Sequence, residues 1–137
     1  MSEKLEELYI RYEEVKNSLN SLLAERNVLD NELTELNLTL NVLDEFKNVK
    51  KGSEILSPIG SGIFVKSSVV DNEELIVNVG AKVLKNMELK EAKDFIDRRI
   101  KSVEKVMKEM DQKIAELAQS LQIIEQKLQE VYKTEKS

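Results

Sequence analysis

Carboxylates are the most abundant side chains in this sequence with acid–base chemistry. Asp and Glu number 26 against 21 Lys and Arg, and there is no histidine and no cysteine. Without histidine the chain lacks the group that titrates near neutrality and the commonest metal ligand. Without cysteine it has no disulfide and no thiol nucleophile, which suits a reducing compartment. The carboxylates fall at solvent positions between regularly spaced apolar residues, where nothing would push their pKa values into a catalytic range. Gly60-Ser61-Gly62 is the one other pattern associated with chemistry. A phosphate cradle would continue into Gly-Lys-Ser/Thr and open a helix; neither follows, and a turn or β-bulge fits better. The residue types therefore point away from an enzyme, a cofactor and a metal. What is left is contact chemistry, carried by aliphatic side chains and by Tyr9, Tyr12 and Tyr132 near the two ends of the sequence.

The elements that must position those contacts begin with a heptad seam. Leu5, Leu8, Tyr12, Val15, Leu19, Leu22, Leu29, Leu33, Leu36, Leu40 and Leu43 follow one another at alternating steps of three and four, with Arg26 filling one seam position. That is a coiled-coil helix, expected from about 3 to 50 and roughly 70 Å long, closed by Lys50, Lys51 and Gly52. A stripe of this length needs a partner of similar length. Arg26 has two readings: a side chain snorkelling to solvent beside Glu25 or Asp30, or a polar break that sets the register.

Between 52 and 88 the rhythm stops. The only proline, all four glycines and many β-branched residues lie here, which predicts short strands joined by turns. Apolar runs near Ser53–Ile59, Ile63–Val70, Leu75–Val79 and Val83–Met87 give about four strands, hence two hairpins, with Pro58 confined to an edge or a strand end. Hairpins this small are marginal alone and leave edges and an apolar face open. Other subunits are therefore expected to complete the sheet. A second seam follows, from Ile96 through Ile100, Val103, Met107, Met110, Ile114, Leu117, Leu121, Ile124 and Leu128 to Val131.

The two seams match in length and are joined by a returning segment, so they are expected to pair antiparallel within one subunit. One register sets Leu5 beside Val131, Leu22 beside Ile114, Arg26 beside Met110 and Leu40 beside Ile96. The fold class is α+β: a long antiparallel coiled-coil hairpin with two small β-hairpins between its helices. The segments are 1–51, 52–88 and 89–137. Phe46, Phe64 and Phe95 belong at or near the β segment, whereas all three tyrosines gather where the termini meet. That tip holds Leu5, Leu8, Tyr9, Ile10, Tyr12, Leu128, Val131 and Tyr132. It is either a seam running to its end or an apolar surface for a partner or client.

This plan resembles the α-class subunits of the prefoldin family, in the archaeal type. SPIGSGIFVKSSVVDNEELIVNVGAKV is similar to that family's hairpin segment, with a Pro-x-Gly-x-Gly turn, a strand ending in Lys and a Val-x-Val-Gly strand. MELKEAKDFIDRRIKSVEK is similar to the helix start that follows. The resemblance implies two α and four prefoldin β subunits joined through hairpins into β-barrels. It also implies coiled-coil tips that hold unfolded client polypeptide without ATP and deliver it to a group II chaperonin. By position, Ile55, Ile59, Ile63, Val65, Val69, Leu75, Val77, Val79 and Val83 would serve assembly, and the tip residues would contact clients. The tip here is tyrosine-rich, a departure from the aliphatic pattern.

Partners of other kinds fit poorly. Net charge is −5 with no basic face, which argues against nucleic acid and against an RNA-binding arm. No apolar run reaches the roughly 18 residues of a membrane span. The N-terminal residues lack the apolar core of a signal peptide, so a cytoplasmic location is expected. The rival from another class is a prefoldin-like structural subunit that forms filaments through its sheet.

Overall fold

A computed structural model describes residues 3–136. Met1, Ser2 and Ser137, the outermost residues of the expected segments 1–51 and 89–137, lie outside the described residues. The order is α1 (Glu3–Phe46), β1 (Glu54–Gly60), β2 (Ile63–Ser68), β3 (Glu74–Gly80), β4 (Val83–Glu88) and α2 (Leu89–Lys136). Among these residues no helix is long and apolar enough to cross a membrane.

The chain forms two compact units: Met1–Leu33 with Val103–Ser137, and Thr34–Ser102. In the first, the heptad pattern decides what is covered. Leu5 and Val103, Met107 and Ile124 are buried, and every other seam residue of this unit is half-buried, Arg26 included. Acidic Glu3 and Glu6 sit in the first turn of α1, where the helix dipole favours negative charge. Tyr12 Oη donates to Glu125 at 3.5 Å, and Arg26 forms a two-point ion pair with Asp111, its Nη2 donating to Oδ2 at 3.3 Å. Asp111 adjoins Met110, the residue that the expected register sets beside Arg26. Arg26 thus reaches across to the second helix at a partly exposed position, with Asp30 of its own helix also attracting it.

The second unit contains both hairpins and the helix segments next to them. Here α1 ends at Phe46, four residues before the expected stop, and no basic residue occupies its last turn. Lys50 and Lys51 belong instead to a following turn. That connection is held by side chains and by the link between β2 and β3: Asn72 Nδ2 donates to Val49 O at 2.9 Å, Ser53 Oγ to Lys50 O at 2.6 Å, and Gly52 N to Val69 O at 2.7 Å. At the other junction β4 runs into α2 with no loop, and Leu89 N donates to Glu73 O at 3.1 Å. Glu91 lies in the first turn of α2. The core of this unit is Val69, Met87, Ala92 and Ile100. Lys93 Nζ meets Asp44 Oδ1 at 2.8 Å between the helix segments.

Each hairpin is its own two-stranded antiparallel sheet. The second repeats the first at a spacing of 20 residues: Glu54 pairs with Ser68 as Glu74 pairs with Glu88, and Gly60 with Ile63 as Gly80 with Val83. Both carry an irregularity just before that last pair, at Ile59 and at Val79. Both turn through two residues of positive φ, Ser61 (52°) and Gly62 (80°) in one, Ala81 (50°) and Lys82 (63°) in the other. Two successive left-handed residues make the mirror-image turn that matches strand twist.

Candidate interaction surfaces

In the hairpins, alternation along each strand sorts side chains onto two faces. Ile55, Ser57, Val65 and Ser67 share one face of hairpin 1; Leu56, Pro58, Phe64 and Lys66 share the other. In hairpin 2 the corresponding sets are Leu75, Val77, Lys85 and Met87, and Ile76, Asn78, Leu84 and Asn86. Met87 is buried and Leu75 and Val77 half-buried, so the first face of hairpin 2 is largely covered within its own unit. The opposite face is open, with Ile76 71% and Leu84 67% exposed.

Of the nine residues assigned to assembly, Ile55, Ile59, Ile63, Val65, Val79 and Val83 are exposed, and Leu75 and Val77 half-exposed. Val69 differs. It is 6% exposed and belongs to the core of its own unit, so any effect on assembly would be indirect. The sequence reading passed over Leu56, Phe64, Ile76 and Leu84, all exposed. Their signal was the doublets Ile55-Leu56, Ile63-Phe64, Leu75-Ile76 and Val83-Leu84, because strands meant to be covered on both faces are apolar at consecutive positions.

The tip assignment divides in the same way. At the end of the first unit, Leu5 is 5% exposed and Leu8, Tyr12, Leu128 and Val131 are half-buried in the seam. Tyr9 and Tyr132 are about half exposed, and Ile10 is 60% exposed. A groove of about 800 Å3 runs beside the seam here, lined by Leu8, Ile10, Val15 and Val131 together with charges of both signs, among them Lys4, Arg11, Glu14 and Glu130. Lys16 Nζ lies 5.7 Å from the centre of the Tyr12 ring, within reach of a cation–π contact. Sequence spacing had placed Tyr12 in the seam and Tyr9 outside it, and their exposures follow that division.

Electrostatics in both units serve structure. The Arg26 hydrogen bond holds the Asp111 carboxyl below the usual carboxylate range. Lys93 does the same for Asp44. The Asp71 carboxylate accepts the backbone N–H groups of Glu73 (2.8 Å) and Glu74 (3.3 Å), which lowers its pKa and fixes the link between the hairpins. All of these pairs hold one backbone segment or helix against another.

Comparison with known proteins places this geometry. A family model, Prefoldin subunit, matches residues 15–134. The chain belongs to the prefoldin family. It is 30% identical to the prefoldin α subunit of Archaeoglobus fulgidus over 93% of this chain and 90% of that one. It is 28% identical to the prefoldin α subunit of Pyrococcus horikoshii over 95% and 88%. The filamentous PFD of Methanocaldococcus jannaschii, solved by cryo-EM, superposes with a TM-score of 0.72 at 27% identity, covering 82% of this chain and 93% of its own. Prefoldins are chaperone subunits rather than enzymes, and two long helices joined by two β-hairpins are the prefoldin fold.

Proposed function

We propose that this chain is the α subunit of an ATP-independent holdase. It joins prefoldin β subunits, two α with four β, through its hairpins in the cytoplasm. It binds unfolded polypeptide at the end of its coiled coil and passes it to a group II chaperonin. The observation that carries the reading is the exposure of aliphatic and aromatic side chains at two places that the fold leaves unfinished. One is the open faces of both hairpins, with Leu56, Phe64, Ile76 and Leu84; the other is Tyr9, Ile10 and Tyr132. Large apolar groups left in water at defined positions favour contact with other chains. The test removes residues 1–12 and 128–137 and follows aggregation of a chemically denatured client with the assembled protein. Protection should fall sharply while the assembly mass, corrected for the deletion, stays the same. Undiminished protection by an intact assembly would refute the tip assignment.

A second reading has one observation in its favour, the likeness to a filamentous prefoldin. In it the same hairpins link copies of this chain end to end and the coils act as spacers. Light scattering on the chain with and without a β-class subunit separates the two. A discrete hexamer that needs the partner supports the holdase; growth of the chain alone with concentration supports the filament.

A further inference from the structure

The groove at the end of the first unit is walled by charges in an order that a second copy of the chain would match. Lys4, Glu7, Arg11 and Glu14 line it from α1, and all four are exposed. Steps of three, four and three put them on one stripe of the helix, with the signs alternating along it. Glu7 and Arg11 stand at the spacing of an intrahelical ion pair. Among the described residues, however, none of the four forms an ion pair or a side-chain hydrogen bond, whereas Lys101 does pair with Asp97 at the same spacing on α2. Elsewhere between residues 3 and 14 the charge is of one sign, from Glu3, Glu6 and Glu13.

A second copy approaching the acidic side of α1 would set carboxylate against carboxylate. On the groove stripe the outcome depends on direction. In a parallel approach Lys4 would meet Lys4 and Glu7 would meet Glu7. In an antiparallel approach the order of signs reverses. One register then sets Lys4 against Glu14 and Glu7 against Arg11, each pair formed twice by the two-fold symmetry. The same register places Glu3 level with Val15, Glu6 with Tyr12 and Glu13 with Leu5, so no like charges are opposed. Ile10, 60% exposed, flanks the stripe and would be shielded. An unfolded client has no reason to present charges in this order, whereas every copy of this chain does. We propose that the groove docks the same stripe of a second copy, antiparallel, so that two coiled coils overlap over residues 4–14. Exposed ion pairs are individually weak, so the contact forms and breaks readily. Where the tip also binds client, a consequence that rests on the tip reading, the second copy is a competitor that client displaces.

Zero-length carbodiimide crosslinking of the full chain, read by mass spectrometry, tests the contact. Lys4 and Glu14 lie about 15 Å apart along one helix, too far for an amide bond within a chain, so a Lys4–Glu14 crosslink joins two chains. It should form in the wild type. Glu7→Arg and Arg11→Glu each oppose like charges twice in the pair and should lower its yield ~10-fold. Circular dichroism checks that both variants keep the native helix content. Mixed one to one, the two variants set arginine against glutamate at both places, and the yield should return. Effects of the substitutions within each helix are the same in the mixture as in either variant alone, so recovery reports the contact between chains. Absence of the crosslink in the wild type, an undiminished yield in the single variants, or a mixture no better than its components would each overturn the docking. None of these outcomes bears on client binding, which the aggregation of a denatured client follows separately.

Discussion

Lys82 and Gly62 occupy the same place in the two hairpin turns, and exchanging their residue types should move stability in opposite directions. Their φ angles are 63° and 80°. A side chain with a Cβ pays about 1–2 kcal/mol to sit in this left-handed region. Glycine avoids that strain but loses about 0.5–1 kcal/mol more backbone entropy on folding. The difference favours glycine by roughly 0.5–1 kcal/mol. A Cβ added at Gly62 would meet no atom within 4 Å, so crowding does not complicate the comparison. Lys82→Gly should therefore stabilise hairpin 2, and Gly62→Lys should destabilise hairpin 1 by a similar amount. Hydrogen exchange of the β1–β2 and β3–β4 amides measures each hairpin separately, and protection should shift by a factor of about 2–5 in each direction. A slower opening of hairpin 1 in Gly62→Lys, or a faster opening of hairpin 2 in Lys82→Gly, would refute the backbone argument.

Two further outcomes follow from the packing and the charges. Ile124 is 4% exposed and its neighbour Ile123 45%, so Ile124→Ala should cost about 2–3 kcal/mol in urea unfolding and Ile123→Ala no more than about 0.5. The carboxyls of Asp111, Asp44 and Asp71 all titrate below their ordinary value in the fold. Their stabilisation is complete above the unfolded carboxylate pKa of about 4 and is lost as pH falls through the lower folded values. A urea midpoint that declines below pH 4, less steeply in Asp111→Asn, would agree; an Asp111→Asn profile parallel to wild type would not.

Much of this structure was legible because coiled coils write burial into spacing. Each seam position picked from the heptad steps is buried or half-buried, and the turns fell where Gly60-Ser61-Gly62 and Gly80-Ala81 indicated. The end of α1 was not legible. Lys50 and Lys51 suit the last turn of a helix by charge, but Asn72, 23 residues away, caps the carbonyl of Val49 in a turn that α1 never enters. A long-range side-chain bond of this kind leaves no local pattern. The 20-residue repeat was equally hidden, since Ser-Gly and Ala-Lys, or Pro58 and Asn78, reach one backbone geometry by different means. At the tip, spacing put Leu5 in the seam and Ile10 at an outward position, and their burial agrees, although both were grouped as one contact surface.

Arg26 and Tyr12 together address an ambiguity that the seam alone leaves open. A heptad repeat slid by seven residues still sets apolar against apolar, so aliphatic pairing does not choose between registers. In the first unit Tyr12 meets Glu125 and Arg26 meets Asp111; in the second, Asp44 meets Lys93. The residue numbers in each pair add to 137, so one offset satisfies all three. A slide of seven in one direction would carry Arg26 to Glu104, which could also accept it, but would set Tyr12 against Ala118. A slide in the other direction would set Arg26 against Ala118 and Tyr12 against Tyr132. Neither alternative keeps both contacts. A charged residue in the seam weakens the pairing that surrounds it, but it disfavours the slide that sets it against Ala118, while loss of the Tyr12–Glu125 contact disfavours the slide that would give it Glu104. Tyr12–Glu125 and Arg26–Asp111 are thus compatible together with one register only, the one that sets which residues of the returning helix lie beside the exposed tyrosines.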